Sequence, residues 1–171
     1  VKKSIAAGQY HLVMVTGNGE VYTTGYNDVG QLGLGDTTNR FYATLVDLGG
    51  EKAVAVSAGA THTLVLTQST EVAPMAADLP GIPAMGGEVW AFGGNAYGQL
   101  GTGNGSENTI TPRKVLKGQS ASDSDYLNSV IAISAGVNHS VALRADGTVF
   151  TWGLNSSGQL GVGNTYNSGL P

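Results

Sequence analysis

Three histidines are spaced in a way that could serve metal chemistry. His11, His62 and His139 each complete the same motif, Ala-Gly-x-x-His. A ring of imidazoles could bind a transition metal, but metal ligands usually come from unlike positions that converge, and no carboxylates cluster around these histidines in the sequence. We therefore interpret all three as structural. We predict that each fixes its own sheet by hydrogen bonds to nearby backbone, and that no metal is bound.

A second repeated motif, Gly-Gln-Leu-Gly-x-Gly, could suggest a phosphate-binding loop. Such a loop needs Gly-Lys-Ser/Thr at the start of a helix, and a dinucleotide-binding loop needs a helix between two strands. Neither context occurs, so we predict no cofactor and expect these glycines to supply positive φ and close strand approach. The motif residues interpreted as structural are Gly33, Gly101, Gly161, Gln31, Gln99 and Gln159.

The sequence lacks the residue patterns that place catalytic groups in enzyme active sites. Ser57, Ser134 and Ser140 have no nucleophile-elbow motif and no acidic partner. Asp123-Ser124-Asp125 lacks the spaced oxygen ligands and the distal glutamate of a calcium loop. We predict that the chain is not an enzyme and contains no catalytic residue.

Composition excludes further classes. The 171 residues are 41% hydrophobic and only 12% charged, with 27 glycines, no cysteine and a net charge of −4. No stretch clusters lysine and arginine, so nucleic-acid binding through phosphate neutralisation is disfavoured. No apolar run is long enough for a signal peptide or a membrane insertion. Because the chain begins at Val1 without methionine, we expect it to be part of a longer parent chain.

The elements that must position these motifs are internal repeats. Ala7 to Ala58 spans 51 residues, whereas Ala58 to Ala135 spans 77, because the middle copy carries two insertions. We predict one partial domain over residues 1–171. Its repeat units are approximately 4–52, 53–129 and 130–171, with loop insertions near 68–87 and 117–126.

Within a unit the pattern predicts short strands. In the first unit these are 4–7, 11–16, 21–25 and 42–46. Asn18-Gly19 and Asp146-Gly147 stand between apolar runs and are typical of tight hairpin turns, since both central residues need positive φ. No segment has a sustained helical period, so the chain is predicted to be all-β. A four-stranded sheet of about fifty residues, which cannot bury both faces alone, indicates a β-propeller blade.

The two motifs, present in three copies each, resemble the repeats of the regulator of chromosome condensation family, whose members form seven-bladed β-propellers. The resemblance implies three blades of a partial or open propeller, from a parent of seven. It also implies that Ala-Gly-x-x-His lies on inner strands near the shaft. The Asn-x-x-Gly-Gln-Leu-Gly segment would then turn between outer strands. The third unit stops at Pro171, where its outermost strand should begin.

Family members differ in function. Eukaryotic members exchange nucleotide on a small GTPase through specific loops, and no segment here maps onto those loops. Other members are bacterial secreted binders, which this chain resembles in its low lysine content, absence of cysteine and richness in Ser, Thr, Asn and Gly. We therefore expect a bacterial-type member, secreted or on the cell surface, although a cytoplasmic location remains open.

The best candidates for partner binding lie where the copies disagree. Four tyrosines fall in turns or loops, and tyrosine is favoured at binding surfaces. The first insertion is apolar for a surface loop, so it either folds over a blade or contacts a partner. The possible partner-binding residues are Tyr10, Tyr97, Tyr126, Tyr166, Met75, Leu79, Ile82 and Met85.

We conclude at this stage that the chain is a non-catalytic protein-interaction module that presents blade loops to a protein partner. One alternative is a guanine-nucleotide exchange factor for a small GTPase. A second, less favoured alternative is a carbohydrate-active or hydrolytic propeller, which would require paired carboxylates at the central rim. Three blades leave open sheet faces, so we expect either self-association or further repeats in the parent chain.

Overall fold

A computed structural model describes residues 4–68, 86–103, 105–118 and 125–171. These residues form three antiparallel sheets, one from each repeat. They contain no helix, and hence none long and apolar enough to cross a membrane. The strands are β1 (Ile5–Ala7), β2 (His11–Val15), β3 (Val21–Gly25), β4 (Arg40–Val46), β5 (Ala53–Ala58), β6 (His62–Thr67), β7 (Val89–Gly93), β8 (Thr109–Lys114), β9 (Val130–Ala135), β10 (His139–Arg144) and β11 (Val149–Gly153).

Each sheet is a run of hairpins in chain order. The first sheet has the order β1-β2-β3-β4 and the second β5-β6-β7-β8. The third sheet contains β9, β10 and β11. Beside β11, Gly153 forms an isolated bridge with Ser168, at the position where Gly25 of β3 pairs with Arg40 of β4 in the first sheet. The first strands of neighbouring sheets, β1, β5 and β9, contact one another, which puts them on the inner side of the stack. The all-β propeller-blade prediction is confirmed.

The connections alternate between two ends of the sheets. The β1–β2 turn and the β3–β4 loop lie at one end, which we call the histidine end because His11 begins β2 there. The β2–β3 turn and the links between sheets lie at the other end. Both sequence insertions join the second sheet at this opposite end, in the β6–β7 connection and in the link from β8 to β9. We call it the insertion end.

Two hydrophobic cores lie between the sheets. One joins the first and second sheets and includes Val13, Val21, Val56, Val65 and Phe92. The other joins the second and third sheets through a matching set that includes Leu64, Leu66, Val89, Leu100 and Trp152. Every residue of β6 is buried, because both faces of the second sheet are covered, whereas β2 alternates between buried and more exposed positions. Burial of apolar side chains on both faces therefore fixes the second sheet in the stack.

Candidate functional site

The repeated histidines connect neighbouring sheets. Nε2 of His11 lies 2.9 Å from Oγ1 of Thr63 in the second sheet, and that hydroxyl donates to the carbonyl oxygen of Gln31 in the first sheet at 2.9 Å. One relay thus joins an imidazole, a hydroxyl and the glycine-rich turn. The first core packs below it.

The same relay recurs at the next junction. Nε2 of His62 lies 3.0 Å from Oγ of Ser140 in the third sheet, and Ser140 donates to the carbonyl oxygen of Gln99 at 2.8 Å. For His11 and His62, the prediction that the histidine bonds nearby backbone of its own sheet is therefore wrong. The backbone beside these histidines is already paired within the sheet, and each imidazole bonds a hydroxyl side chain of the next sheet.

The relay fixes the tautomer of both buried histidines. Since a carbonyl oxygen only accepts, the hydroxyl must donate its single proton to the glutamine carbonyl. The hydroxyl oxygen can then only accept from the imidazole, so Nε2 carries the proton and donates it. Nδ1 is then unprotonated, and in both His11 and His62 it is buried without a hydrogen-bond partner. Burial lowers the pKa of His11 to about 4. Burial, followed by the charges of His11 and His139, lowers the pKa of His62 to about 3.

The glutamine-containing turn is built by its own side chains. Asn27 is buried, and its Oδ1 accepts the backbone N–H of Leu32 at 2.9 Å. Gln31 accepts the backbone N–H of Val29 through Oε1 at 3.1 Å. Corresponding bonds recur in the other two repeats from Asn95, Gln99, Asn155 and Gln159. The turn therefore presents a fixed glutamine carbonyl to the next sheet.

Two of the motif glycines allow an aromatic ring of the next sheet to approach. Gly33 has φ of +70°, and a Cβ there would lie 2.8 Å from the ring of Phe92. Gly101 has φ of +68°, and its Cβ would lie 2.8 Å from Nε1 of Trp152. That indole N–H donates to the Gln99 carbonyl at 2.8 Å. Gly161 shares the positive φ of +71°, but no atom lies within 4 Å of its Cβ position.

Two of the three serines without a nucleophile motif, Ser57 and Ser140, act in these junctions. Ser140 is part of the relay, and Oγ of Ser57 accepts the backbone N–H of Ala135 at 2.9 Å. The two repeated motifs alone do not predict Thr63 and Ser140 as relay partners. A usable signal existed, since a hydroxyl residue directly follows the histidine in both repeats.

The first sheet departs from this scheme on the face that points away from the second sheet. The residue after its histidine is Leu12, in place of Thr63 and Ser140. The position of Phe92 and Trp152 is taken by Thr24, whose hydroxyl donates to the Arg40 carbonyl. This face therefore has neither the relay acceptor nor the large ring that the other two junctions use.

The four candidate tyrosines do not form one surface. Tyr10 lies in the β1–β2 turn, Tyr97 in the β7–β8 loop and Tyr166 after β11, all at the histidine end. Tyr126 lies at the insertion end, in the link between β8 and β9. All four side chains are exposed, from 40% for Tyr97 and Tyr126 to 68% for Tyr10 and 80% for Tyr166. Met75, Leu79, Ile82 and Met85 lie outside the described residues.

At the insertion end, the bases of the two insertions lie close together. Gly87, after the first insertion, forms a bridge with Val130, and Leu116 forms a bridge with Tyr126 across the second. Nζ of Lys114 lies between two aromatic rings, 5.4 Å from the centroid of Trp90 and 5.3 Å from that of Tyr126. The same ammonium forms an ion pair with Glu88 at 2.6 Å. The first sheet lacks this arrangement of an ammonium against aromatic rings. Its cross-strand pair at the position of Trp90 and Lys114 is Tyr22 and Leu45, which has no positive charge.

Comparisons with known proteins agree with this architecture. The chain is 34% identical over 170 residues to the ultraviolet-B receptor UVR8 of Arabidopsis thaliana, covering 99% of the chain and 33% of that receptor. It is 37% identical over 168 residues to the human X-linked retinitis pigmentosa GTPase regulator, covering 98% of the chain and 14% of the regulator. The chain thus spans a third or less of the length of these relatives.

A solved structure shares the fold. The crystal structure of Prp20p from Saccharomyces cerevisiae superposes with a TM-score of 0.76 at 19% identity, covering 98% of this chain and 36% of that one.

One model of the Regulator of chromosome condensation (RCC1) repeat matches residues 18–66 and 86–143. A second model of the same repeat matches residues 3–31 and 130–159. The matched ranges contain all three histidine motifs, the first two glycine-rich turns and the start of the third, through Gln159. The chain therefore belongs to the regulator of chromosome condensation (RCC1) repeat family.

Proposed function

We propose that this chain is a non-catalytic protein-interaction module, and that its partner-binding surface is the insertion end of the second sheet. One observation carries the proposal. The differences between the repeats converge there, because the first insertion returns to the second sheet at Gly87, which bridges to Val130, and the second insertion leaves the same end of that sheet toward the third sheet, with its base closed by the Leu116–Tyr126 bridge. Loops held on a rigid scaffold are where binding residues concentrate.

The use of the polar residues at the histidine end supports the same conclusion. The hydroxyls of Thr63 and Ser140 and the imidazoles of His11 and His62 are engaged in bonds between sheets. A hydroxyl that donates to a fixed carbonyl and accepts from an imidazole N–H has no proton acceptor to activate it as a nucleophile. These residues serve as scaffold.

The proposal is tested by replacing the first insertion with the turn of the first sheet. Thr16 and Thr67 occupy equivalent positions, and their N–H groups donate to the carbonyl oxygens of Glu20 and Glu88. The carbonyls of Gly19 and Gly87 accept from Ala53 and Val130. Replacing residues 68–86 by Gly-Asn, with Gly87 kept, therefore restores a turn that the fold already uses. We call this variant the turn graft.

Proteins captured from an extract by the immobilised wild-type chain are compared with those captured by the turn graft. The control is the variant Y97S/Y166S, which alters only the histidine end. We expect the turn graft to lose the partners and the control to keep them. The reverse result would assign the partner surface to the histidine end.

A second candidate function is regulation of a small GTPase. It is favoured by the relative whose name describes a GTPase regulator. The direct test is release of a fluorescent guanine nucleotide from small GTPases with and without the chain. An acceleration that the turn graft retains would support this second candidate against the first. A bacterial, secreted or surface location also stays a proposal, tested by fractionating the source cells.

A further inference from the structure

The outer strand of the first sheet has an open edge. β4 is the last strand in the order of that sheet, and no other described strand pairs with it. In an antiparallel ladder, successive residues direct their N–H and C=O groups to opposite sides of the strand. The N–H of Thr16 donates to the Glu20 carbonyl, so Val21 bonds on the other side, toward Val46 of β4. The N–H and C=O groups of Leu45 therefore point away from the sheet.

The side chains along this edge are apolar and exposed. Phe41 is 90% exposed, Tyr42 85% and Leu45 52%. Ala43 is also exposed, and by the same alternation its N–H and C=O groups point outward. From Phe41 to Val46 the strand contains no charged residue and no proline. An edge of this kind is a template for another strand, because its backbone donors and acceptors are unpaired and nothing repels a second chain.

The second sheet protects the same edge. In the ladder between β7 and β8, Lys114 takes the position of Leu45, and Pro112 takes that of Ala43. Proline has no N–H to offer a second strand, and a lysine on an edge strand opposes pairing by its charge. The base of the second insertion also pairs with the residues that follow β8. The first sheet has neither protecting residue.

The features of β4 specify the strand that fits it. That strand must be extended, uncharged and open along one edge. Of the two fourth strands in the described part of the chain, β4 meets these conditions and β8 does not. A second copy of β4, placed antiparallel about a two-fold axis through Thr44, pairs Ala43 of each copy with Leu45 of the other. Tyr42 then lies opposite Val46, so no charged side chain of the strand lies opposite another.

We propose that two copies of this chain form a two-fold dimer by pairing their β4 strands, with reciprocal backbone bonds between Ala43 and Leu45. The pairing centres on Thr44, where β4 is in register with Thr23 of β3. Such an interface uses the same residues on both copies, so it closes at two. It involves the first sheet alone and is independent of the partner surface proposed for the second sheet.

Sedimentation equilibrium at several concentrations tests the dimer. We expect a monomer–dimer equilibrium with a Kd of about 100 µM, because a small interface gives weak association. A43P and L45K transfer the two protecting residues of the second sheet to the first, and each should weaken dimerisation at least about tenfold. The control is V149K, which places the same charge at a strand position of the third sheet that is 59% exposed. It should dimerise as the wild type does.

A disulfide crosslink tests the register. In the proposed dimer Thr44 lies opposite its own copy as a non-hydrogen-bonded pair, with Cα atoms about 4.5 Å apart, within the range that a disulfide spans. The chain has no cysteine. T44C should therefore form a disulfide-linked dimer under mild oxidation. R113C, at the matching position of the second sheet, should crosslink far less.

The inference is overturned by a wild-type chain that stays monomeric at about ten times the expected Kd. It is also overturned if A43P and L45K dimerise like the wild type, or if T44C and R113C crosslink equally. Loss of the dimer in V149K would assign the association to the free face of the third sheet. A monomeric wild type whose capture of a protein partner is abolished by L45K would replace the second copy by a strand of that partner.

Discussion

The two ends of the second sheet use their polar residues in opposite ways. At the histidine end, His62, Thr63 and the turn around Gln99 are engaged with the neighbouring sheets through bonds of 2.8–3.0 Å. At the insertion end, Trp90 has a buried indole nitrogen that bonds nothing in the described structure, and Lys114 pairs with Glu88 of its own sheet. Repetition along the chain therefore marks residues that hold the sheets together, and the differences between the copies are concentrated at the end that we propose as the partner-binding surface.

The largest expected difference concerns the buried and the partly exposed histidine. H62A should lower the free energy of unfolding by about 4 kcal/mol, because it leaves a cavity between sheets and removes the donor to Ser140. H139A, at the same repeat position but partly exposed, should cost less than about 1 kcal/mol. Denaturant unfolding of both variants measures this. Equal losses would show that the histidine end does not depend on the relay.

A glycine pair gives a second matched test. G101A should cost about 3 kcal/mol, combining the left-handed backbone with displacement of the Trp152 ring. G161A keeps the first cost alone, about 1 kcal/mol, since nothing lies within 4 Å of its Cβ position. The difference between their unfolding free energies isolates the ring contact. If the two variants unfold together, close approach of the ring is not what the motif glycine provides.

Acid should weaken the histidine end selectively. The unfolded chain protonates its histidines near pH 6.5, whereas the folded protein keeps His11 neutral to about pH 4 and His62 to about pH 3. The unfolded state binds more protons in that window, so stability is complete above pH 6.5 and falls as the pH decreases below it. Between pH 7 and 5 we expect a loss of about 2 kcal/mol for each of the two histidines.

The acid test has its own control in H11Q. This variant should be less stable at pH 7 but should lose about half as much stability between pH 7 and 5 as the wild type. Unfolding curves at pH 7, 6 and 5 supply the comparison. A pH dependence that is unchanged in H11Q would contradict the assignment of a lowered pKa to the relay.

The smallest effect is expected at the insertion end. The turn graft should change the free energy of unfolding by less than about 1 kcal/mol, because loop length affects stability only weakly and the flanking bonds of Thr67 and Gly87 are kept. Denaturant unfolding of the graft beside the wild type checks this. A loss as large as that of H62A would mean that the first insertion is part of the scaffold, which would end the contrast between the two ends.

The fold was accessible from the sequence because its signals are local. The Asn-Gly turn after β2 and the alternation of residues 11–15 define a hairpin without knowledge of the neighbours. The role of His11 was not accessible, because its partner Thr63 lies 52 residues away on another sheet. The sequence does not assign the four candidate tyrosines to one end or the other, since that assignment requires the strand directions.

The relay also gives the stack a direction. Each junction joins two unlike faces, one with an imidazole and a glutamine carbonyl, and one with a hydroxyl and a large ring. Contacts of this kind are heterologous, so a two-fold dimer that pairs like faces cannot reproduce them. A second copy added head-to-tail would bring Leu12 to His139 and Thr24 to Gly161. The contacts between sheets therefore have a fixed direction. The free face of the third sheet is complementary to a sheet with serine or threonine after its histidine, and the first sheet of this chain has Leu12 at that position.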